Sequence, residues 1–133
     1  MLSYSVVMNK LDLYLSESKR LQVWVALAQL FAEVMPSEHV LESIANELQA
    51  AQVERQTLYT IYRYEVAPCF WRERWMTMNQ PPIGWYSPRQ ITYKVGLHVK
   101  NLSPRKKRWI DVKWKLFSKW VPNHWQQLEK YLA

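Results

Sequence analysis

The stretch "SPRKKRWIDVKWKLFSKW", residues 103–120, can be read with two periods, and the fold class turns on which one holds. At two residues per repeat, Ile110, Val112, Trp114 and Leu116 alternate with Asp111, Lys113 and Lys115. Upstream, Ile91, Tyr93, Val95, Leu97 and Val99 alternate in the same way with Thr92, Lys94, Gly96, His98 and Lys100. Such runs suit strands, and residues 91–99 and 109–117 would pair as a hairpin in an α+β fold. At helical spacing, Trp109, Val112, Leu116 and Trp120 instead share an arc of about 80°, with Ile110, Trp114 and Phe117 beside it. Lys107, Arg108, Lys115 and Lys119, with Asp111, then lie on the other side.

The starts of the two runs favour helices. "SPR" stands at residues 87–89 and again at 103–105. A serine supplies a helix N-cap, and a proline is well placed at the first helical position because its missing N–H would be unpaired there anyway. The chain also has only two glycines, too few for a sheet with many tight turns. The expected fold is therefore all-α, a small bundle of five to six helices, with the α+β hairpin fold as its alternative. On the helical reading, the face of Trp109, Val112, Leu116 and Trp120 packs inward.

The first half reads as helical throughout. Trp24, Leu27, Ala28, Phe31 and Val34 recur at helical spacing over residues 18–35, and Pro36 ends that helix. Ser37 is read as the cap of a second, with Val40, Leu41, Ile44, Ala45 and Leu48 inward. Thr57 is read as the cap of a third, with Leu58, Ile61, Tyr62 and Val66 inward, and Pro68 breaks it or starts another. "NQPPIG", residues 79–84, is the clearest loop, and Asn123 is read as the cap of a last helix carrying Trp125, Leu128 and Leu132. The whole of 1–133 is expected to be one domain: a helical core over 18–78, with a basic, Trp-rich part over 85–133 packed on it.

A resemblance supports the helical reading. "VWVALAQLF" (23–31), "ESIANELQAAQ" (42–52) and "YEVAP" (64–68) resemble the W-x-A-L-x-x-L-F, I-A-x-x-L and E-V-x-P elements of an uncharacterised family of small bacterial helical proteins, over about residues 20–86. Ala28 stands where that family carries serine, and Trp75 with Gly84–Trp85 is a loose match. The resemblance implies a helical fold and brings no activity and no catalytic residue with it.

Charge is divided along the chain. Residues 1–66 carry five basic and eight acidic groups, a net of −3, and residues 67–133 carry thirteen basic and three acidic, a net of +10. The basic half is expected to meet something negative. Cys69 is the single cysteine, so no internal disulfide forms. With no basic leader, no long apolar run and no signal cleavage site, a cytoplasmic protein is expected.

No catalytic constellation emerges, and the chain is read as no enzyme. Two isolated glycines build no phosphate loop, His39, His98 and His124 fall in no metal-ligand spacing, and no cofactor is expected. Cys69 reads as a small apolar residue. Glu65 reads as a structural acid bonded to backbone, to Arg63 or to a C-terminal arginine. The remaining reading is a binding protein for an acidic protein partner, such as an adaptor or a toxin-neutralising immunity protein. Its expected contact residues are Arg105, Lys107, Arg108, Lys113, Lys115, Lys119 and Trp114. Nucleic-acid binding through phosphates with tryptophan stacking is the alternative, and an interfacial membrane helix is a third reading.

Overall fold

The computed structural model describes residues 17–32, 36–70, 87–117 and 124–132. Among them it is all-α, with six helices and no strand. Helix α1 is Glu17–Ala28, tightening into a 3₁₀ turn at Gln29–Phe31; α2 is Glu38–Ala50; α3 is Arg55–Ile61. Helix α4 is Pro88–Lys100, α5 is Pro104–Phe117 and α6 is His124–Glu129. The hairpin alternative is overturned, since both of its strands are helices.

The caps show why. Ser87 Oγ accepts from the Gln90 N–H while the Gln90 side chain accepts from the Ser87 N–H, a reciprocal capping box with Pro88 behind it. Ser103 Oγ accepts from the Lys106 N–H, and Ser37 Oγ from that of Val40. These local bonds satisfy donors that a strand would leave open, so the alternating pattern of residues 91–99 is overridden at its start. The third cap differs from expectation: α3 opens three residues earlier, behind Glu54, and Thr57 lies inside its first turn. At the end of α2, Gln52 takes a φ of 55°, a left-handed position usually given to glycine in a chain that has few to give.

One core draws on all six helices. Trp24, Leu27, Ala28 and Phe31 from α1 and its 3₁₀ turn meet Leu41, Ile44, Ala45 and Leu48 of α2, all buried as their spacing requires. Leu58, Ile61, Tyr62 and Val66 join them from α3 and its continuation, and Ile91, Val95 and Leu102 from α4 and the turn after it. Trp125, Leu128 and Leu132 close the C-terminal end. That end is also held by polar contacts: Arg55 Nη2 donates to the Leu132 carbonyl at 2.9 Å and Gln49 Nε2 to that of Tyr131 at 3.2 Å. The tyrosine ring of Tyr62 is a hub, meeting Phe31 at 6.0 Å, Trp114 at 5.9 Å and Trp125 at 5.6 Å between centroids. Val34, the 79–84 loop, Trp75, Gly84, Trp85, Trp120 and Asn123 lie outside the described residues.

Pro68 neither breaks its helix nor starts one. The helix runs on through residue 70 by widening into a π turn at Tyr62–Val66, where the Ala67 N–H reaches the Tyr62 carbonyl. Proline has no N–H and its ring crowds the carbonyl four residues back, so an α-helix would be bent there. The wider turn makes room, but it leaves the carbonyls of Arg63 and Tyr64 with no N–H from residue 68. Two side chains from the basic half supply the donors: Trp114 Nε1 to the Arg63 carbonyl at 3.2 Å, and His98 Nε2 in contact with the Tyr64 carbonyl at 2.9 Å. A proline in the continuation of α3 thus helps to set where α4 and α5 dock.

Candidate functional site

Helix α5 carries two apolar faces. The inner one is built around Ile110, buried, and Trp114, half-buried four residues later. Beside them Asp111 accepts from Arg63 Nη2 at 3.0 Å and Nε at 3.3 Å, and from the Tyr64 hydroxyl at 2.7 Å. Burial acts to raise the Asp111 pKa, but the bonds from Tyr64 and Arg63 outweigh it and hold the carboxyl below its ordinary value. Burial also opposes the charge of Arg63, and the bonds it donates to Tyr59 and Asp111 nonetheless hold its pKa above the usual value. Lys107 completes this side, its ammonium 4.7 Å from the centroid of the Tyr64 ring.

His98 sits next to this clasp. Burial pushes its pKa down, the bond to the Tyr64 carbonyl resists, and Lys106 and Lys113 add to the lowering. Those two lysines therefore lie on the flank of α5 that faces α4.

The outer face is the surprise. Trp109 is 60 % exposed, Val112 43 % and Leu116 62 %, although their arc was expected to pack on the bundle. That expectation is corrected: the inward face is the opposite one, Ile110 and Trp114. The reason is that Asp111 and Trp114 bond to Arg63 and Tyr64, which rotates the helix until Trp109 points to solvent. Pro104, Arg105, Arg108, Trp109 and Val112 line an open hollow of about 460 Å³ on this face.

Of the seven expected contact residues, Arg105, Arg108, Lys113 and Lys115 are exposed around this apolar line. Lys107 and Trp114 are turned inward against Tyr64 and Tyr62, and Lys119 lies outside the described residues. The reading missed Trp109, Val112 and Leu116 as surface residues, and it missed Lys106, which is also exposed. The signal was present as a second apolar pair, Ile110 and Trp114, at i and i+4 in the same helix. Among the described residues no acid pairs with Arg105, Lys106, Arg108, Lys113 or Lys115; the ion pairs are Arg63–Asp111 and Arg20–Glu65.

The other polar cluster belongs to the core. Glu65 is fully buried in the π turn, accepts from Trp24 Nε1 at 2.8 Å and lies 3.9 Å from Arg20 Nε. Trp24 and Arg20, the partners seen here, both lie on α1. Cys69 is half-buried, with its Sγ donating to the Glu65 carbonyl at 3.2 Å. Among the described residues no cluster of His, Cys, Asp or Glu has the makings of a metal site, and no helix is long and apolar enough to cross a membrane.

A family model described as "Domain of unknown function (DUF7079)" matches residues 18–131. The chain belongs to this family. The match indicates no catalytic family, and it runs on through the basic C-terminal half, past the end of the short motifs at residues 20–86. No curated protein and no solved structure matches the chain.

Proposed function

We propose that the chain is a non-catalytic binding module that holds an acidic protein partner on the outer face of α5. The supporting observation is a single one: Trp109, Val112 and Leu116 stay in water on a helix whose opposite face is firmly packed, ringed by cations without acidic partners among the described residues. An exposed apolar line gains nothing for the isolated fold, and such patches mark contact surfaces. Tryptophan and arginine are the side chains that most often dominate binding energy, because each buries a large area and fixes orientation. The surrounding cations attract acid at a distance and speed encounter. An adaptor and a toxin-neutralising protein both fit this reading.

Nucleic acid is the competing partner. The cations would serve phosphates equally, but Val112 and Leu116 give no surface on which bases stack. The test immobilises the chain and a variant carrying Arg105→Glu, Arg108→Glu, Lys113→Glu and Lys115→Glu. Both are exposed to extract of the source cells, with and without nuclease, and the retained protein is then purified and titrated. The expected result is an acidic protein whose affinity falls about 100-fold or more with the variant, while thermal unfolding is unchanged. Retention that nuclease abolishes, with log affinity falling linearly in log salt, assigns the face to nucleic acid and ends the protein reading.

A further inference from the structure

We infer that the outer face of α5 is one half of a heterodimeric coiled coil, and that its partner is an amphipathic helix with acidic flanks. This inference rests on the acidic-partner reading and names the form the partner takes. It follows from which positions of α5 are exposed. Written as heptads with Trp109 at a, the central line is Arg105 at d, Trp109 at a, Val112 at d and Leu116 at a. The e and g positions beside it are Lys106, Arg108, Lys113 and Lys115. All eight of these are exposed, while positions b, c and f between Arg105 and Leu116 (Lys107, Ile110, Asp111 and Trp114) are buried or half-buried against the bundle. In a coiled coil the b, c and f positions face away from the partner helix, and here they are the ones that anchor α5 to its own fold.

Three features select the occupant. Every e and g position is cationic, so a second copy of this helix would set like charges against one another along both edges, and a partner must carry Glu or Asp there. The apolar line is narrow, three residues with Arg105 in register, and spans about 10 Å along the axis. An interfacial membrane helix needs a broader apolar face than that, without a cation on its centre line. The surface is a helix with no free backbone groups along its length, so an extended strand would find nothing to pair with, whereas a helix can set its own a and d side chains between Trp109, Val112 and Leu116. The hollow between Pro104, Arg108 and Trp109 takes one such apolar side chain, with Arg105 and Arg108 placed for a neighbouring carboxylate.

The test uses a fluorescein-labelled synthetic peptide of about three heptads, long enough to hold helix on contact, with Ile and Leu at a and d and Glu at e and g. Anisotropy is read with the full chain, with Trp109→Ala and with Leu116→Ala. Both substitutions lie at exposed positions, and unchanged circular-dichroism melting checks that they fold. The Glu peptide should bind, each substitution should weaken it about tenfold or more, and a peptide with Lys at e and g should bind at least about 100-fold more weakly. Equal binding of a peptide with the same composition in scrambled order overturns the inference, because charge alone then suffices. Should the Glu peptide fail while the fourfold reversal still loses its protein partner, the helical seam is wrong and the acidic-partner reading stands; if both fail, both are wrong. Capture by phosphatidylglycerol-containing vesicles in place of the peptide also overturns it, in favour of a lipid surface.

Discussion

Trp109 and Trp114 lie five positions apart in α5 and meet opposite surroundings. Trp114 donates to the Arg63 carbonyl and lies tilted against Tyr62, while Trp109 stands 60 % exposed among cations. The inner face of α5 resembles the rest of the core, where polar groups are bonded and apolar ones packed. The outer face breaks that rule three times in two turns. A helix with one apolar stripe must bury it; a helix with two can bury one and present the other. The charge division of the chain takes on a location from this: Arg105, Lys106, Arg108, Lys113 and Lys115 of the basic half are exposed at the edges of the second stripe, where the proposed partner would meet them.

The core side of this contrast should break hardest at Glu65. Replacing it with Ala takes the acceptor from the buried Trp24 indole and a counter-charge from beside Arg20, and urea unfolding should register a loss of about 3–5 kcal/mol. Glu65→Gln keeps an oxygen for Trp24 Nε1 and should lose less. A loss under about 1 kcal/mol for the alanine variant would mean that Glu65 is not part of the core's support.

A second prediction sharpens the account of the Pro68 turn. His98 is held below its ordinary pKa of 6.5 mainly by burial. As pH falls below that value the unfolded chain takes up the proton first, so it binds more protons than the folded chain and stability declines. Above pH 7 both states are neutral and the group contributes no pH dependence. His98→Gln retains a donor for the Tyr64 carbonyl and should flatten the decline in melting temperature between pH 7 and pH 5. An unchanged slope would show that His98 titrates alike in both states.

The smallest effect belongs to Asp111, at the partly exposed edge of the inner face. Asp111→Asn should reduce stability by about 0.5–1 kcal/mol at neutral pH, since screened pairs contribute little. The folded carboxyl stays ionised below the ordinary range, so its contribution is present above the unfolded value and is lost as pH falls through the folded one. The gap between Asp and Asn should therefore close in acid. A gap that persists in acid would assign the loss to packing.

Much of the fold was legible because its signals are local. Ser37, Ser87 and Ser103 cap as their positions suggest, and the stripes of α1, α2 and α4 follow from spacing alone. Two features were not legible, and both depend on distant partners. Pro68 reads as a break unless His98 and Trp114 are known to serve the carbonyls it leaves. The α5 wheel favours the arc of Trp109, Val112 and Leu116 as the inner one, because it is richer in apolar residues than Ile110 with Trp114. What turns the helix over is Asp111 finding Arg63 and Tyr64, residues 48 and 47 positions away. Charge thus drew attention to α5, and periodicity assigned its inward face to the wrong apolar line.

The most direct test of the central claim needs no partner. Trp109→Ala and Trp114→Ala are made separately, and the free energy of unfolding in urea is measured for each. Trp114→Ala should lose about 2–3 kcal/mol, from lost packing and from an orphaned carbonyl at Arg63. Trp109→Ala should change stability by less than about 0.5 kcal/mol, as substitutions at exposed positions do. If Trp109 proves as costly to remove as Trp114, the outer line is part of the core and α5 presents no second face.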